Sequence, residues 1–138
     1  MGMIIKEKIL IEVESPCILG LTYSYTDCLK MILKIKEQEI SGDIYGEESL
    51  KGKSFYKIIN PEMIVNENDD NKTLYLIADV EFDDKKYSKE ELSKFSDGYW
   101  RLAIEGEGDI NKGLVENYEL KKVNIEFFSE EMYNEIKI

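Results

Sequence analysis

Residues 73–82 read Thr-Leu-Tyr-Leu-Ile-Ala-Asp-Val-Glu-Phe. Leu74, Leu76, Ala78, Val80 and Phe82 occupy even positions, with Tyr75, Ile77, Asp79 and Glu81 between them. A strand sends successive side chains to opposite faces, so this stretch sets five apolar groups against a core and two carboxylates towards water. Asn66–Lys72 before it and Asp83–Lys86 after it are turn-forming. The stretch therefore predicts a central strand of a mostly antiparallel sheet.

Towards the C-terminus, Ser88 and Glu91 make a capping box for a helix over 87–95, with Leu92 and Phe95 on its apolar side and Asp97-Gly98 ending it. Tyr99–Glu105 alternates again, Trp100, Leu102 and Ile104 opposing Tyr99, Arg101 and Ala103. Gly106–Gly113 reads as a glycine-rich hairpin loop. Tyr118–Phe128 is a last long strand, and Ser129 caps a short helix from which Met132, Tyr133 and Ile136 pack back.

Towards the N-terminus, Met3–Glu14 is a strand with Met3, Ile5, Ile9, Ile11 and Val13 inward and Lys8 outward, ended by Ser15-Pro16. Cys17–Thr26 alternates as a second. Residues 29–40 fit two templates: a strand with Leu29, Met31, Leu33 and Ile35 inward, or a helix capped by Asp27. The alternating Lys30, Lys34 and Lys36 favour the strand. Ile44 sits in a short extended piece and 47–53 in a loop. Ser54–Ile59 is stopped by Asn60-Pro61, with Glu62–Val65 as an edge continuation. Crossover helices are lacking, so parallel pairing is not expected.

These elements predict a mainly β fold (α+β as the variant): an antiparallel sandwich or partly open barrel of about seven strands with one or two short helices. The 138 residues form one domain, 1–138, with neither repeat nor linker. No leader or membrane-length apolar run is evident, Lys6, Glu7 and Lys8 interrupting the first apolar residues. Two cysteines, Cys17 and Cys28, are too few for a secreted disulfide framework and read as small buried apolar groups, so a reducing cytoplasm is expected.

The formal net charge is −11, and histidine is absent. Residues 1–64 hold 8 basic and 10 acidic groups, whereas 65–138 hold 10 and 19. So negative a surface repels phosphate and disfavours direct nucleic-acid binding, and the lack of a membrane-length apolar run leaves no membrane partner expected; a partner, if there is one, is basic. The lack of histidine removes the Ser-His-Asp and Cys-His systems and the commonest transition-metal ligand. Catalysis would fall to carboxylates or a thiol, and no spacing nominates a catalytic residue.

Glu105, Glu107, Asp109 and Asn111 place oxygens at alternate positions, as calcium loops do, but the later bidentate glutamate is missing and no metal or cofactor is expected. Tyr75 and Tyr99 project from outer strand faces and suit an interface. The expected partner face is therefore Tyr75, Asp79, Glu81, Tyr99, Glu105, Glu107 and Asp109. The leading reading is a non-enzymatic acidic binding or inhibitor protein, of the immunity or phage counter-defence kind, engaging a basic protein and including one that mimics nucleic acid. A small-molecule-binding β-barrel or sandwich comes second, a carboxylate- or cysteine-based enzyme third.

Overall fold

The computed structural model describes residues 2–17, 20–66 and 73–135. It is mainly β: seven strands in two sheets, with three helices and no closed barrel among the described residues. The first sheet is antiparallel, in the order β1 (Met3–Glu12), β5 (Thr73–Phe82), β4 (Tyr56–Asn66). β5 is central, as its sequence requires. Leu76, Ala78, Val80 and Phe82 are fully buried, while Tyr75, Asp79 and Glu81 are half-exposed on the other side.

Both neighbours of β5 are bulged, and each bulge corrects a simple alternation. In β1, register shifts between Ile5 and Lys8 and between Ile9 and Ile11, with Glu7 at φ 58°, turn Lys8 inward and bury both Leu10 and Ile11. In β4 the shift lies between Ile59 and Glu62, with Asn60 at φ 51°. Asn60-Pro61 therefore bends the strand without stopping it.

The second sheet is built on β7 (Leu114–Phe128). β6 (Tyr99–Asn111) pairs antiparallel along one edge. The other edge takes two short strands, β2 (Thr22–Tyr23) and β3 (Ile44–Tyr45), both parallel. Pairing is thus mostly antiparallel, as expected, and parallel only at these two short strands, which α1 (Tyr25–Glu37) separates in the chain.

The strand expected over 29–40 is this helix. Ser24 caps it, its hydroxyl accepting from Asp27 N at 3.1 Å. Asp27, Cys28, Met31 and Ile35 are buried while Leu29 and Leu33 are 41% and 56% exposed, the pattern of a helix face and not of alternation. Likewise only Thr22–Tyr23 of the strand expected over 17–26 is extended in a ladder; Tyr25 and Thr26 already belong to α1, and residues 18–19 lie outside the described set. Packed against both β4 and β7, α1 fills the gap between the two sheets. Residues 40–43 complete the join: Ile58 N donates to Ile40 O, Val123 N to Ser41 O and Ile125 N to Asp43 O.

α2 (Lys89–Asp97) carries the expected capping box, Ser88 and Glu91 bonding reciprocally. It delivers Phe95 to an aromatic core with Phe82, ring centroids 4.1 Å apart, and Trp100, whose indole N–H donates to Phe95 O at 2.8 Å. α3 (Glu130–Glu135) packs less than expected: Met132 is 52% exposed, Tyr133 meets Tyr99 with ring centroids 5.6 Å apart, and Ile136 lies outside the described residues. The hairpin loop expected over Asn66–Asn71 lies largely outside them as well. None of the described helices is long and apolar enough to cross a membrane.

Candidate functional site

The glycine-rich segment expected to be a loop is strand. β6 runs to Asn111 and turns through Lys112 and Gly113, whose φ values of 52° and 83° are the positive pair that a two-residue type I′ hairpin demands. Leu114 then starts β7, four residues before the strand start expected at Tyr118. Gly106 and Gly108 serve packing. A Cβ on Gly106 would lie 2.8 Å from the Tyr118 ring and clash with Glu119 O. Tyr118, packed edge-on against Tyr23 at 5.1 Å, covers the space that the missing side chains leave.

This ribbon gathers carboxylates. Glu105, Glu107 and Asp109 share one face of β6, every residue from Glu107 to Lys112 being exposed. Register sets Glu107 opposite Glu119 and Asp109 opposite Glu116. Like charges directly opposed across a ladder are destabilising, so the sheet bears a cost that lysine at either position would remove. A bulge on β7, with Asn117 at φ 54°, brings Glu116 and Glu119 to this face although they are three residues apart. These two were missed from sequence, because strict alternation puts residues three apart on opposite faces.

The acids differ in their partners. Lys121 and Lys34 reach Glu119 at 2.9 and 3.4 Å, and their hydrogen bonds hold its carboxyl below the usual range. The Glu119 carboxylate in turn raises the Lys121 pKa. Lys122, opposite Glu105, is drawn away to Asp43 at 3.1 Å, and Glu105 accepts from buried Asn124 at 3.2 Å. Asp109 accepts a long hydrogen bond, 3.4 Å, from the Asn117 amide. No ion pair reaches Glu107, Asp109 or Glu116 among the described residues. Along an extended strand alternate residues stand about 6.6 Å apart, so Glu105, Glu107, Asp109 and Asn111 do not converge on one ion in the manner of a calcium loop.

The rest of the expected face is divided. Tyr99 lies on the same face of β6 at its far end, 37% exposed beside Tyr133. Tyr75, Asp79 and Glu81 belong to the other sheet. Asp79 is a structural clamp there: one carboxylate oxygen accepts from Glu7 N at 3.0 Å and the other from the Asn60 amide at 2.9 Å, tying the bulges of β1 and β4 to the strand between them. Glu81 pairs with Lys57 at 3.4 Å. Cys28 is fully buried, and its thiol is pushed up to about 12 by that burial and, less, by the charges of Asp27 and Glu14. A groove of about 570 Å³ lined by Ser41, Phe55, Lys57, Glu81 and Asp84 opens directly to solvent.

No protein-family model, curated protein or solved structure matches this chain.

Proposed function

We propose that this chain is a non-enzymatic acidic binding protein, acting in the cytoplasm, whose β6–β7 ribbon engages a basic protein partner. In this reading its carboxylates imitate the phosphates of a nucleic acid. The observation that carries the reading is the register itself. A ladder that opposes Glu107 to Glu119 and Asp109 to Glu116 sets like charges against each other, and of these four only Glu119 has ion-pair partners among the described residues. A basic partner relieves that repulsion on binding, which speeds encounter and makes affinity fall with salt.

The test compares the wild-type chain with a Glu107→Gln/Asp109→Asn/Glu116→Gln variant as bait in a bacterial lysate. The wild type should retain a basic protein at about 50 mM salt and release it near 500 mM, where the screening length is only a few ångströms. The triple variant should retain little. Excess duplex DNA should displace the captured protein if the ribbon occupies a nucleic-acid site. Capture that ignores salt, or that the triple variant preserves, refutes the proposal; failure of DNA to compete refutes the mimicry.

A further inference from the structure

β1 and β6 are the facing free edges of the two sheets: β1 pairs with β5 alone and β6 with β7 alone. Among the described residues no backbone hydrogen bond joins these two edges. Among the described residues one side-chain hydrogen bond crosses between them. The bulge at Glu7 turns Lys8 into the seam, where its ammonium stands 3.9 Å over the Trp100 ring centroid and donates to Trp100 O at 3.1 Å. No carboxylate lies within ion-pair reach of Lys8 among the described residues. Trp100 is held from behind by its bond to Phe95 O and by the Phe82, Phe95 and Phe127 rings.

We infer that the seam between β1 and β6 is the line along which this open barrel parts, and that Lys8 is the wedge that keeps its closure loose. A half-buried ammonium has surrendered water, and one carbonyl and one indole face return only part of what hydration gave. Opening the seam rehydrates it. Burial accordingly holds the Lys8 pKa below its ordinary value, the closed state disfavouring the charge. An inward-pointing charge beside a bulge is also how sheet edges avoid zipping to another strand.

Native-state hydrogen exchange, with acrylamide quenching of Trp100, the sole tryptophan, tests the inference on the whole chain. The β1 amides bonded to β5 and the β6 amides bonded to β7 should exchange through a partial opening, ahead of the β5 amides bonded to β4. Lys8→Met should raise the protection of the seam strands about tenfold and reduce quenching, whereas Lys8→Arg should leave both near wild type. Lower protection in Lys8→Met would make Lys8 a latch and overturn the inference. If Lys8→Met does not fold, the wild type decides alone: seam amides that share the denaturant dependence of the β5–β4 amides exchange by global unfolding and overturn it equally.

Discussion

Gly42→Ala probes the join between the two sheets. Residues 40–43 are bonded to β4 on one side and to β7 on the other. A Cβ at position 42 would clash with Val123 O and lie 2.5 Å from Asn124 Oδ1 and 2.7 Å from Val123 C. Two of these atoms are backbone of the most buried part of β7, so no side-chain rotation makes room. The segment must withdraw. That strains the Val123–Ser41 and Ile125–Asp43 bonds and lengthens the 2.8 Å bond from Asp43 N to Asn124 Oδ1. Overpacking costs about 1–3 kcal/mol, and a weakened buried hydrogen bond adds about 1 kcal/mol. Gly52→Ala is the matched control: φ is +78° and nothing lies within 4 Å, so its cost is conformational alone, about 1 kcal/mol. Both substitutions reduce unfolded-chain entropy equally, so that contribution cancels between them. Urea unfolding should therefore place Gly42→Ala about 2 kcal/mol below Gly52→Ala, roughly 1 M in midpoint at an m-value near 2 kcal/mol/M. Equal midpoints, or Gly42→Ala the more stable of the two, would refute the claim that residues 40–43 lock the sheets together.

Three further outcomes are expected. Ser24→Ala should cost about 1 kcal/mol in urea unfolding and reduce helical circular dichroism, since Ser24 caps α1; an unchanged midpoint would contradict that. Glu116→Lys should raise the thermal midpoint at low salt, by less as salt rises, while weakening retention of a basic partner; a lowered midpoint would mean that the opposed carboxylates do not repel. Cys28 should resist iodoacetamide in the folded protein at pH 8. Because its pKa is raised from 9.0 to about 12, the stability it contributes is complete below pH 9 and is lost as pH climbs from 9 towards 12, where the unfolded chain gives up a proton that the folded one keeps. Labelling of Cys28 as fast as in urea would refute its burial.

Alternation over residues 73–82 settled the central strand, and the Ser88–Glu91 capping box settled α2, because side-chain direction and first-turn capping depend on a few neighbouring residues. Glu105, Glu107 and Asp109 stand out in the sequence as acidic groups at alternate positions, but the glycines of their segment signal a turn and predict a loop, and that it is strand was not legible. Elsewhere the local pattern was degenerate. Met31 and Ile35 satisfy both templates, since four residues are two strand repeats and nearly one helical turn. The helical alternative, capped by Asp27, is outweighed in the sequence by the alternating lysines, and the actual cap lies three residues earlier, at Ser24. Contact with β4 and β7 decides in favour of the helix.

Composition and local period by themselves determined a β-built, acidic, histidine-free chain and most of its strands. Tertiary structure alone decided which acids face which. Opposition of Glu107 to Glu119 and Asp109 to Glu116, the clamping of two bulges by Asp79 and the inward turn of Lys8 all follow from register and bulges. Those are properties of two strands held together, and no single stretch of chain encodes them.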